Sequence, residues 1–142
     1  MPELNYDAAR RMCDAAMTYA HEHNWAISVA VLDAGGNVLL VGRMDGCNFL
    51  SPDIARGKAF GAVAWKTASA ELGQRFGAAV NAAAGMVGIS GNRFVPVQGA
   101  LPIWDGQRCL GAIGASGVRS DQDEECSRAG LLAAGFTPEA AG

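Results

Sequence analysis

Two turn signals, each set between apolar runs, constrain this chain more than any other feature. Asp33-Ala-Gly-Gly-Asn37 separates the run Trp25–Leu32 from Val38–Arg43, and both flanks are rich in β-branched residues. Asp105-Gly106 stands between Leu101-Pro-Ile-Trp104 and a strand over Arg108–Ser116. Strands that arrive as hairpins pair antiparallel, which argues against a parallel doubly wound sheet. A further strand is expected over Phe94-Val-Pro-Val97, giving a sheet of about five strands.

Helical spacing supplies the layers that cover this sheet. Ala8, Ala9, Met12, Cys13, Ala16, Met17 and Ala20 recur at intervals of three and four and form one apolar stripe. Asn5 or Asp7 can cap that helix, which should end near His23-Asn24. Ser51-Pro52-Asp53 reads as a second helix start, with serine capping and proline at the first helical position. The Ala- and Gly-rich segment 69–90 should hold one or two short helices. Ser120 caps a last helix to about Ala134, with Asp123 completing a capping box and Gly135 closing the end. The order is α-β-β-α-(α)-β-β-β-α, an α+β domain with no internal repeat and no linker. A single domain over residues 1–142 is expected, with a frayed tail at Thr137–Gly142.

Composition narrows the function. The formal net charge is -3 and only 18% of residues are charged, so nothing favours nucleic acid or a membrane surface as partner. No run of about 18 apolar residues is present. Met1-Pro2-Glu3-Leu4-Asn5 shows no basic segment followed by an apolar stretch, so a cytoplasmic location is expected. The four cysteines, Cys13, Cys47, Cys109 and Cys126, form no C-x-x-C pair and read as reduced thiols, not a zinc site.

An ordered set of motifs runs through the chain: Val31-Leu-Asp-Ala-Gly-Gly36, Arg43-Met-Asp-Gly46, Ala55-x-x-Lys58-Ala59, Gly99-x-x-Pro102-Ile103, Gly111-Ala-Ile-Gly-Ala-Ser-Gly117 and Asp123-Glu-Glu-x-x-x-Ala129-Gly130. From about residue 5 to residue 135 this set resembles the GlcG or HbpS-like haem-binding family, which includes the C-terminal domain of PduO-type proteins. The resemblance implies a profilin-like α/β/α sandwich around an antiparallel sheet. It also implies dimers or larger homo-oligomers, and haem as a ligand of some members. The family commonly carries a Gly-Gly pair before its Pro-Ile. Here Gly99-Ala100-Leu101 stands in that place.

Several side chains are candidates for chemistry. Arg43 and Asp45 are two apart at a strand end, so strand alternation would put both on one face. Arg43 could grip a carboxylate through two parallel hydrogen bonds, and Asp45 could orient it or act as a base. Lys58 lies inside an apolar helical stripe and must snorkel or find an anion. That anion would be a ligand carboxylate, a haem propionate, or Asp33 or Asp45. Arg43, Asp45 and Lys58 form the expected site, with Asp45 and Lys58 catalytic. Gly99, Pro102 and Ser116 add ligand contacts from a loop and a strand end. If Lys58 anchors a ligand, Lys58→Met should leave the fold intact.

Gly111–Gly117 lacks the Lys-Ser/Thr of a phosphate loop and reads mainly as a tightly packed central strand. His21 and His23 can interact with the C-terminus of the first helix, or one of them can ligate haem iron. Trp25, Trp65, Trp104, Phe60, Phe76 and Phe94 are expected in the core or a subunit interface. Three functions stay open: binding of haem or another tetrapyrrole, cofactor-free acid–base catalysis on a small organic acid, and a non-catalytic assembly subunit. Isomerisation, tautomerisation or hydration would be the reaction class of the second.

Overall fold

The computed structural model describes residues 3–142; Met1 and Pro2 of the expected domain lie outside the described residues. Helix α1 spans Tyr6–Glu22, and the Asn5 side chain caps it by accepting from the Ala8 N–H at 2.9 Å. Strands β1 (Ser28–Asp33) and β2 (Val38–Arg43) form the first hairpin. Asp33 Oδ1 accepts from the backbone N–H of Gly35 and of Asn37, both at 2.9 Å, which closes the turn. Helices α2 (Ser51–Trp65), α3 (Ser69–Gly77) and α4 (Val80–Ile89) follow. Strands β3 (Ala100–Asp105) and β4 (Arg108–Ser116) form the second hairpin, and α5 (Ser120–Ala133) completes the elements.

The sheet is antiparallel with order β2-β1-β4-β3, so the two hairpins join through β1 and β4. It has four strands among the described residues, not about five. Phe94–Val97 forms no strand: Val95 N donates to Gly57 O at 3.1 Å, and Pro96 has no N–H to give a ladder. The segment therefore lies along α2 instead of pairing with the sheet.

Strand alternation sorts the sheet into two faces. Val29, Val31, Leu101, Ile103, Ile113 and Ala115 pack with Met12, Ala16 and Leu131 under α1 and α5. Leu32, Ala100 and Ala112 face Ala59, Ala62 and Val63 of α2. The result is a three-layer α/β/α sandwich. Trp65, Phe76 and Phe94 cluster on the α2 side, with ring centroids 4.9–5.6 Å apart.

The C-terminal segment that was expected to fray is hydrogen-bonded to the second hairpin. Thr137 exchanges two backbone bonds with Trp104, and Ala141 N donates to Gly106 O at 2.9 Å. No helix among the described residues is long and apolar enough to cross a membrane.

Candidate functional site

The expected trio divides between two environments. Lys58 is 2% exposed and lies on the α2 face that meets the sheet. Its Nζ donates to Asp123 Oδ2 at 3.0 Å and to the Ala115 carbonyl at 3.1 Å. The anion that neutralises it is thus Asp123, neither Asp33 nor Asp45. Arg43 is exposed at the end of β2 and donates to the Cys47 carbonyl at 3.2 Å. Asp45 is exposed in the turn after β2 has ended, so strand alternation does not relate it to Arg43.

Asp123 does not perform the capping role expected of it. Its other oxygen accepts from Val118 N at 3.1 Å, while Gln122 takes the Arg119 N–H at the helix start. Both partners of the pair are almost fully buried, with side chains 3% and 2% exposed. Burial pushes the Asp123 carboxyl above its ordinary value of 3.8, against the pull of the Lys58 ammonium.

Gly99 belongs to the same buried cluster. Its φ of +143° suits glycine, and a Cβ there would come within 2.8 Å of Lys58 Nζ. Ser127 Oγ donates to the Gly99 carbonyl at 2.7 Å, so the loop before β3 is tied to α5 as well. Ser116 ends β4 opposite Ser28 of β1, and its carbonyl accepts from Cys47 Sγ at 3.8 Å. Beside it, Ser28 Oγ and Ser51 Oγ are 2.7 Å apart, and Cys47 Sγ lies 3.0 Å from Ser51 Oγ. This is a satisfied polar seam between β1, β4 and the start of α2.

Pro102 lines a cavity of about 360 Å³ between α3, β3, α5 and the C-terminal segment. Lys66, Trp104 and Arg128 share that wall. None of the other expected ligand residues reaches it.

The end of α1 holds a more ordered arrangement. Asn24 has φ +61°, and the helix closes with Trp25 N donating to Ala20 O and Asn24 N donating to His21 O. That pair of bonds is a Schellman closure with asparagine in the left-handed position. It folds Trp25 back over the last turn. His23 then packs against Tyr19, at 4.3 Å between centroids, and Trp25, at 4.7 Å, and those two rings lie 6.2 Å from each other, so the three form one aromatic cluster. Its Nδ1 lies 2.8 Å from the Tyr19 carbonyl. A carbonyl only accepts, so Nδ1 donates this bond, which leaves Nε2 as the ring nitrogen that can meet a ligand. His21, also exposed, occupies the last turn of α1. The spacing of Tyr19, His23, Asn24 and Trp25 carried this information; a Schellman closure read at Asn24 would have singled out His23 over His21.

Comparison with known proteins sets this geometry in context. The model of the family described as "Haem degrading protein HbpS-like" matches residues 4–132. This chain belongs to the HbpS-like family. A 15.0 kDa protein of Citrobacter freundii, from the dhaT-dhaS intergenic region, is 34% identical over 119 residues, covering 82% of this chain and 81% of the relative. The crystal structure of a PduOC:haem complex superposes with a TM-score of 0.86 at 26% identity, over 97% of this chain and 99% of that one. A double mutant of Streptomyces reticuli HbpS superposes at 0.82 with 32% identity, over 93% and 87%. Among the described residues no three His, Cys, Asp or Glu groups converge as a metal-ion site.

Proposed function

We propose that this HbpS-like chain binds haem, with His23 as the residue that would hold the iron. The observation that carries the reading is the His23 ring itself: it packs against both Tyr19 and Trp25, its Nδ1 is bonded to the Tyr19 carbonyl, and its Nε2 has no hydrogen-bond partner among the described residues. Metal-ligating histidines characteristically donate the second ring nitrogen to a carbonyl or carboxylate, which fixes the ring and raises its basicity. Trp25 adds a flat aromatic wall beside it. Arg43 ends the strand whose partner residue, Ser28, opens β1 three positions after Trp25. Among the described residues no carboxylate lies within 4.0 Å of its guanidinium, which leaves it to meet a propionate.

Bound haem would supply iron-centred redox and oxygen chemistry. His23 would hold the iron, the Tyr19 carbonyl would orient that ring, and Arg43 would balance a propionate. The profilin-like assignment, the homo-oligomeric state and the family's ligand belong to the same reading. Lys58 takes no part in it, because Asp123 already occupies its ammonium.

Titration of the purified protein with haem tests this. A sharp Soret band that saturates at a simple stoichiometry is expected. His23→Ala should abolish or shift it, and His21→Ala should leave it in place. A featureless response that never saturates would remove the proposal. Saturation unchanged by His23→Ala would remove the ligand assignment.

A further inference from the structure

Of the 11 lysines and arginines in the chain, four have no carboxylate within 4.0 Å among the described residues: Arg43, Arg56, Lys66 and Arg93. Two of these four, Arg56 and Arg93, line one small cavity of about 200 Å³ with Asp53, Gly57, Gly91 and Asn92. It lies on the α2 side of the sheet, where the segment after α4 returns.

The pairing of the two arginines is built into the backbone. A Cβ at Gly57 would fall 2.4 Å from Val95 Cγ2 and 3.2 Å from the Arg93 carbonyl, so only glycine lets residues 93–95 lie this close to α2. Val95 N then bonds to Gly57 O at 3.1 Å. Gly91 and Asn92, with φ of +70° and +62°, turn the chain into that path.

Arg93 is an exposed residue tethered on one side. Its Nε donates to Ser90 O at 2.7 Å, its backbone N–H donates to Ser90 Oγ at 3.2 Å, and its guanidinium carbon stands 4.8 Å from the Phe60 ring centroid. The remaining guanidinium edge is thereby pre-oriented. Arg56 brings the second observation. Arg56 is half-buried, and its Nε atom is buried with no hydrogen-bond partner among the described residues. A buried charged donor without a partner is costly, and such exceptions call for a missing group.

We infer that Arg56 and Arg93 form a binding site for a small doubly charged oxyanion, a phosphate or a short dicarboxylate. Planar guanidinium forks match both groups bidentately. Asp53, exposed at the rim, reduces the local charge to a net single positive, which disfavours a polyanion. The cavity suits a molecule of this size and is far too small for a tetrapyrrole. The site therefore stands apart from the haem reading and does not depend on it.

Calorimetric titration of the full chain in low-salt buffer tests the site, with inorganic phosphate and malonate as separate probes. Saturable binding at one site per chain is expected for at least one probe, and the stronger of the two identifies the source of the oxyanion. Arg56→Gln and Arg93→Gln should each weaken it about tenfold or more, the loss of a charge-assisted bidentate partner. Arg56→Lys, which keeps the charge and loses the fork, should fall between. Arg75→Gln, a surface charge paired with Glu71, should change nothing. If Arg93→Gln fails to fold by circular dichroism, Arg56→Gln decides alone. No saturable binding of either probe, or wild-type binding in Arg56→Gln, would overturn the inference. Haem titration of the same variants should be unchanged, so failure here and failure of the haem reading are separable.

Discussion

Lys58 shows what burial does to a charged side chain. Its ammonium and the Asp123 carboxylate are both out of water and depend on each other. Removing one partner strands the other, which typically destabilises by about 3–5 kcal/mol. The structure thus reverses the expectation that Lys58→Met would leave the fold intact. Lys58→Met should show a large fall in urea midpoint, and Lys58→Met combined with Asp123→Leu should recover part of it. The thiols give a second prediction. Burial raises the Cys13 thiol from 9.0 to about 11 and the Cys126 thiol from 9.0 to about 12. Both should resist thiol reagents at neutral pH until the protein is unfolded. The sign of the linkage follows. Below pH 9.0 both states hold their protons and nothing is lost, whereas above it the unfolded thiols ionise first. Stability should fall as pH rises from 9.0 to about 11 for Cys13, and Cys13→Ala should flatten that part of the urea-midpoint profile. At this scale the sequence identified Lys58 as the anomaly in an apolar stripe. It could not name the partner, because Asp123 lies 65 residues away and also fits a capping pattern.

Among the elements, β4 decides how closely the layers approach. A Cβ at Gly114 would lie 2.3 Å from the Ala55 carbonyl and 3.1 Å from Ala59 Cβ, so α2 rests directly on the strand backbone. Gly114→Ala must therefore push α2 away from the sheet. A cost of about 1–3 kcal/mol is expected, as for other overpacked cores, and thermal unfolding would measure it. A wild-type midpoint in Gly114→Ala would show that α2 can shift freely. Both hairpins and the two flanking helices α1 and α5 were legible, because turn chemistry and apolar period agree there. Phe94–Val97 was not legible. Its residues have strand character, but its hydrogen bond goes to Gly57, a choice that only the glycine on α2 makes available. His23 was visible as a candidate, but the stack that singles it out depends on the left-handed turn at Asn24.

At the scale of the whole molecule, α4 meets α3 but adds no residue to the buried core. Val80–Ile89 carries no charged residue, and none of its residues is buried. Val80 is 72% exposed and Ile89 is 85% exposed. Apolar surface of this kind, on a helix that contributes nothing to its own core, is what a subunit contact leaves behind when one chain is viewed alone. A second copy is the partner whose chemistry fits. The helix is neutral, so two copies meet without repulsion, and nothing lies within 4 Å of a Cβ placed at Gly85 or Gly88, which leaves room for close approach. Light scattering during size exclusion should therefore find a multiple of the 14.6 kDa chain. Ile89→Glu should move the mass towards one chain, because burying an unpaired carboxylate in that contact opposes association. Since Ile89 is 85% exposed and α4 adds no residue to the buried core, the variant should keep its far-ultraviolet spectrum. A wild-type mass of one chain at micromolar concentration would remove α4 as a self-contact. An assembled Ile89→Glu would place the contact on another face.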